Sequence, residues 1–203
     1  MKRPLLIGIG ASHSGAGKTT LASHILRYFF LHPSPVMSRR PLRWGAIKYT
    51  RTASFPEIIV DRTVLREEGK DTGRLLAAGA ADVVWVRSGA VGLAEALAAA
   101  VARLSHLDLI LIEGNSAIEF LKPDIVIFIF GKERARWKPH IDRLAARADI
   151  IIADDDVHLR ADLQAKQRFP RGLSADAAKG CIPALARMIY DRRAETRDAE
   201  KGG

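Results

Sequence analysis

The chain has a single cysteine, Cys181, among 203 residues. Neither an internal disulfide framework nor a thiolate metal site can be built from it, so a reducing cytoplasm is the expected compartment. Aromatic residues are scarce at 6%, and they do not interleave with basic residues as base-stacking RNA-binding surfaces require. Uninterrupted apolar runs fall short of the ~20 residues of a membrane-spanning helix. The basic start Met1-Lys2-Arg3-Pro4 is followed by a run that Gly8, Gly10 and His13 interrupt, too broken for a secretory signal. Acids are the minority charge, 23 against 32 Lys and Arg, for a net +9. That balance favours anionic partners such as nucleotides or phosphorylated cofactors. The basic residues are scattered among acids in most segments, which ranks phosphate ligands above nucleic acid.

What is present describes an ordinary globular domain: 48% hydrophobic and 27% charged residues. Leu5 to Ile9 reads as a buried strand ending in a glycine-rich turn. After Thr19 the apolar positions Leu21, Ile25, Leu26 and Phe29 recur at helical spacing. Pro33, Pro35 and Pro41 break the chain into a loop that carries Arg39, Arg40 and Arg43. Residues 44–49 read as a strand, 50–68 as a long polar loop, and a short helix runs from Asp71 towards Gly79. Strands follow at 82–86, 107–112, 124–130 and 149–153. Helices are expected around Leu93 to Leu104, Ile141 to Ala148 and Ile182 to Ile189, the last with Pro183 in its first turn. The later strands are rich in Ile, Val and Leu without alternation, the pattern of parallel strands covered on both faces. Alternating strands and helices predict an α/β fold, an open and mostly parallel sheet with helices on both faces. One domain is expected over residues 1–190, with a polar tail at 191–203 that frays.

The strongest motif is the phosphate loop, or P-loop. Ser14, Gly15, Ala16, Gly17, Lys18, Thr19 and Thr20 stand between the first strand and first helix. The pattern matches at Gly17, Lys18 and Thr19, with Ser12 where the leading glycine is usual. Small residues let successive backbone N–H groups point inward as a nest for phosphate oxygens, and the helix start adds its positive dipole end. Lys18 can reach the β- and γ-phosphates, and the Thr19 hydroxyl can ligate Mg²⁺. A glycine turn that only connects strand to helix would carry similar residues, but the flanking strand and helix favour the phosphate reading.

Glu113 follows the apolar run Leu109 to Ile112, just past a strand's carboxyl end, where ligands bind in open α/β sheets. It is a candidate to hold Mg²⁺ or position a water; a solvated strand-end acid is the plainer alternative. Asp71 either complements a helix dipole or faces the ligand. Asp61 and Glu57 are candidate metal-sensing acids, and nothing in the sequence selects between them. Asp108, at the opposite strand end, reads as structural. Residues 132–138, with Lys132, Arg134, Arg136 and Lys138, read either as a solvated basic loop or as a lid over a second phosphorylated ligand. The six histidines show no metal-ligand spacing, and Cys181 reads as packing.

The order of these features resembles the MobB family, the molybdopterin-guanine dinucleotide biosynthesis adaptor proteins. The P-loop is followed by Ile47-Lys48-Tyr49-Thr50, by Gly69-Lys70-Asp71-Thr72 with Ala78-Gly79-Ala80, and by Leu109 to Gly114. Gly-Lys-Asp-Thr before Ala-Gly-Ala is the discriminating part. The resemblance implies GTP binding with slow hydrolysis, Mg²⁺, and assistance to a guanylyltransferase that attaches GMP to molybdopterin. It further implies that Lys18 and Thr19 contact phosphate and Mg²⁺, that Glu113 is a metal-site acid, that Asp71 is a site residue, and that the protein is a homodimer. This chain reads Tyr49-Thr50-Arg51-Thr52 where the family has a His-rich stretch. It also lacks an Asn-Lys-x-Asp guanine-reading motif, for which Ala153-Asp154-Asp155 is only a weak substitute, so GTP over ATP follows from the resemblance alone. The alternatives are a small-molecule kinase with 132–138 as lid, and a metallocentre-insertion GTPase, disfavoured because the chain has no Cys/His cluster.

Overall fold

A computed structural model describes residues 3–32, 40–53, 55–67, 69–164, 166–171 and 175–201, without the side chains of 175–179 and 196–201. Most of the proline-broken loop expected before the second strand, residues 33–39, lies outside them. Eight strands form one sheet: β1 (Leu5–Ala11), β2 (Trp44–Arg51), β3 (Glu57–Ile59), β4 (Asp82–Ser88), β5 (Leu109–Glu113), β6 (Ile125–Ile129), β7 (Ile150–Ile152) and β8 (Gln167–Phe169). Their order is β3-β4-β2-β5-β1-β6-β7-β8. Every pairing is parallel except that of the edge strand β3 with β4.

The helices are α1 (Lys18–Leu31), α2 (Arg62–Leu65), α3 (Asp71–Ala77), α4 (Leu93–Arg103), α5 (Asn115–Leu121), α6 (Ile141–Ala145), α7 (Ala161–Gln164) and α8 (Ala175–Lys201). The unbroken apolar strands are explained by the two-sided covering. In β5, Leu109 and Leu111 face a core shared with Leu21 and Ile25 of α1, Leu75 of α3 and Leu185 of α8. Ile110 and Ile112 face the opposite core, with Leu97 of α4, Ile118 of α5 and Leu144 of α6. Successive side chains point to opposite faces, and here both faces are dry. The result is the P-loop NTPase fold: a mostly parallel sheet wrapped by helices.

Several elements differ from the sequence reading. The stretch 50–68, read as loop, contains β3 and α2. Asp61 caps α2 by accepting from Thr63 N at 2.8 Å, and Glu57 pairs with Arg87 at 3.0 Å, so these two acids serve local structure. The short elements α5, α7 and β8 were also not legible as periodic segments. Pro183 lies inside α8 rather than in its first turn. That helix continues past Tyr190 into the polar stretch read as a fraying tail, and Arg193 in this part lies 3.8 Å from Asp108. Asp108 itself is a structural hub before β5, accepting from Arg40 at 2.8 and 3.0 Å and from Arg43 N at 2.8 Å.

Candidate functional site

Parallel strands place all their carboxyl ends on one edge of the sheet, and the turn after β1 opens a pocket there. Gly17 precedes α1 with φ 99°, a left-handed conformation that glycine adopts without steric cost. It turns the chain into a helix whose first residues, Lys18, Thr19 and Thr20, line the pocket. Ser14, Gly15, Gly17, Lys18, Thr19 and Thr20 line this pocket together with Asp71 and Glu113, and its volume is about 760 Å³. Ala16 differs from the rest of the motif: the whole residue is buried against the α1 core.

The loop's rigidity comes from residues that the pattern does not specify. Ser12, standing where glycine is usual, is fully buried, and its Oγ accepts from Gly131 N at 2.8 Å. Its own N–H donates to Ile129 O at 2.9 Å, and its carbonyl accepts from Lys138 N at 2.8 Å. Asn115, the first residue of α5, clamps the end of β1: its Oδ1 accepts from Ala11 N and its Nδ2 donates to Ala11 O, both at 2.9 Å. The exit of β6, the segment before α6 and the start of α5 therefore hold the P-loop from both sides.

Inside the pocket the charged groups form one network. Thr19 Oγ1 donates to the Glu113 carboxylate, 2.8 and 2.9 Å from its two oxygens. Glu113 is 2% exposed. Lys48 Nζ lies 2.5 Å from Glu113 Oε1, 2.6 Å from Asp71 Oδ2 and 3.3 Å from Thr19 Oγ1. Lys48 and Glu113 are register partners on the adjacent strands β2 and β5, so the topology sets the pairing. Asp71 opens α3; burial works to raise its pKa, but the hydrogen bond and charge of Lys48 outweigh that and hold it below the ordinary value. Lys18 is also held below its ordinary value, but for it burial is the leading cause. Burial disfavours its ammonium, with neighbouring Lys138 and Lys48 adding to the effect and Glu113 opposing it. An ammonium held at that cost is suited to an anion.

The sequence reading missed Lys48 as a site residue. The available signal was a lone cation inside an otherwise apolar run, Ala46-Ile47-Lys48-Tyr49, where a buried charge needs partners. Arg74, which donates to Thr20 Oγ1 at 3.1 Å, was missed as well. The basic segment after β6 divides. Lys138 and His140 line the pocket, and Arg136 reaches Ser14 O at 3.3 Å. Lys132 turns away to Asp154 at 3.4 Å, and Arg134 sits over the Trp137 ring at 5.3 Å. Asp154, part of the weak substitute for a guanine motif, also accepts from Arg171 N at 3.0 Å.

The oxygens of Thr19, Asp71 and Glu113 are a hard donor set that fits Mg²⁺. Among the described residues no group of three or more His, Cys, Asp and Glu is arranged to hold a metal. An ion here would therefore draw further ligands from phosphate and water, the usual habit of Mg²⁺.

A family profile described as "Molybdopterin guanine dinucleotide synthesis protein B", MobB, matches residues 6–149. The chain belongs to the MobB family. The match spans the P-loop, Lys48, Asp71 and Glu113, and it supports a nucleotide-binding protein. No curated protein matches the chain significantly. Among solved structures, HypB from Helicobacter pylori in complex with nickel has a TM-score of 0.59 at 13% identity, covering 93% of this chain and 88% of that one. LpxK from Aquifex aeolicus in complex with ATP gives 0.47 at 13% identity, covering 82% and 53%. FtsY from Elizabethkingia anophelis in complex with GDP gives 0.47 at 12%, covering 94% and 65%. At such identities HypB bears on the fold alone. Among the described residues, no helix of this family member is long and apolar enough to cross a membrane.

Proposed function

We propose that the protein binds GTP, hydrolyses it slowly, and assists a guanylyltransferase in attaching GMP to molybdopterin, acting in the cytoplasm as a homodimer. The observation that carries the reading is the P-loop pocket, where the Lys18 ammonium makes no hydrogen bond among the described residues and the Thr19 hydroxyl is already joined to Glu113. In this reading the amides of residues 14–20 and the Lys18 ammonium hold the β- and γ-phosphates. Thr19 and Glu113 hold Mg²⁺, with Asp71 beside them, and the ion supplies charge neutralisation between the phosphates when bound. Glu113, buried at the end of β5 and lining the pocket, orients the attacking water. GTP over ATP rests on the family match.

A second reading is a small-molecule kinase, favoured by Arg136, Lys138 and His140 at the pocket rim. Titration with GTP, ATP and molybdopterin, followed by phosphate release with and without a guanylyltransferase, separates the two. The GTPase reading expects turnover on water alone; a kinase releases little phosphate without its acceptor. Lys18→Ala is expected to abolish Mg²⁺-nucleotide binding in calorimetry while circular dichroism stays unchanged. Unaltered affinity would remove Lys18 from the role.

A further inference from the structure

Lys48 holds a place that the nucleotide chemistry leaves unassigned. Its ammonium touches one oxygen each of Thr19, Asp71 and Glu113 at 3.3, 2.6 and 2.5 Å. Those are the three side chains with the oxygens for a divalent cation. A Mg²⁺ ion sits ~2.1 Å from its ligand oxygens. If it bound Glu113 Oε1 while Lys48 kept its 2.5 Å contact, the two positive centres would lie within about 4.6 Å of each other. The Glu113 side chain is 2% exposed and that of Lys48 14%, so water screens such a pair poorly, and like charges so placed repel strongly.

We propose that Lys48 is a built-in surrogate cation: it holds the metal-binding oxygens together before metal arrives and must withdraw for the metal to enter. The assignment rests on the reading of Thr19, Asp71 and Glu113 as metal oxygens. Three features support it. Lys48 and Glu113 are register partners on paired parallel strands, so the backbone cannot slide and only the side chain can leave. Lys48 also lines the open pocket, which gives it room to swing. Without a cation between them, the buried Glu113 carboxylate would keep the Thr19 hydroxyl and the half-buried Asp71 would keep Arg74 at 3.5 Å. That leaves a buried charge without a full counter-charge, a costly arrangement; the lysine lowers that cost in the metal-free state. Metal affinity is thereby reduced by the work of displacing an internal competitor, which makes Lys48 a positioning residue for the cation rather than a ligand of it.

The test is Mg²⁺ titration by calorimetry at a saturating nucleoside diphosphate, GDP or ADP as direct titration selects, for wild type, Lys48→Met, Lys48→Gln and Glu113→Gln. Glu113→Gln is expected to lose most of its Mg²⁺ affinity; if it does not, the metal-oxygen reading fails and this inference with it. Given that loss, the two Lys48 variants are expected to bind Mg²⁺ about tenfold more tightly, within the ~5–150-fold span of ordinary coupling. They are also expected to melt at lower temperature than wild type in chelator and to regain that loss with Mg²⁺. Unchanged or weaker Mg²⁺ binding overturns the surrogate role alone. Should both variants fail to fold, acetic anhydride labelling of the wild type decides: Lys48 acetylation, read by mass spectrometry, is expected to rise several-fold on adding Mg²⁺ at constant diphosphate. No rise overturns the proposal.

Discussion

Replacing Ser12 by alanine removes one oxygen atom from the floor of the P-loop and leaves its backbone bonds to Ile129 and Lys138 in place. The lost atom is the acceptor for Gly131 N at 2.8 Å, and both residues are buried. A buried donor left without a partner costs ~1–3 kcal/mol, more than the net value of an ordinary hydrogen bond. For a domain of this size each kcal/mol moves the melting temperature by roughly 2–4 °C, so a drop of about 2–12 °C is expected. Chemical denaturation should show the same loss in midpoint at constant slope. Because Ser12 ties the P-loop to the exit of β6, nucleotide affinity should fall as well, and Ser12→Gly, the residue more usual at this position, should not restore stability. A Ser12→Ala protein within about 0.5 kcal/mol of wild type would refute the account, since that is the scale of an ordinary surface change.

Other consequences can be checked in the same way. Asn115→Leu removes both the donor and the acceptor that hold Ala11; a loss of ~1–3 kcal/mol in urea denaturation is expected, together with weaker nucleotide binding. Gly131→Ala would set its Cβ 1.9 Å from His13 Nε2, and His13 is 5% exposed. Overpacking of that kind costs ~1–3 kcal/mol, and adding His13→Ala should recover part of it in a double-mutant cycle. Burial pushes the Cys181 thiol up from 9.0 to about 11. The folded state thus retains a proton that the unfolded state releases, so this contribution to stability is whole below pH 9.0 and falls away towards pH 11. At pH 8 a maleimide should label Cys181 slowly in the native protein and rapidly in denaturant; rapid native labelling would contradict its burial.

Local pattern was sufficient wherever one physical requirement acted within a few residues. The P-loop is readable because a phosphate nest needs small residues in succession, as Gly15, Ala16 and Gly17 supply, before a helix start. The apolar runs of β1, β5 and β6 are readable because strands covered on both faces cannot alternate. Glu113 could be placed at the ligand edge because it directly follows such a run. In contrast, β3 is three residues long and is held by pairing with β4, and α2 by the Asp61 cap. Segments so short carry no period to detect. Their existence depends on partners elsewhere in the chain.

The sequence by itself therefore determined the fold class, the phosphate loop and the edge of the sheet at which Glu113 stands, since each follows from covalent neighbours and side-chain spacing. Only the tertiary structure decided that Lys48 lies between Asp71 and Glu113, and that Ser12 and Asn115 anchor the loop through Gly131 and Ala11. These pairings join residues 23 to 119 positions apart. The reason is topological: strand order β2-β5-β1-β6 brings distant chain segments side by side. A charge buried at such a junction takes its meaning from the groups across the sheet, which no window along the chain contains.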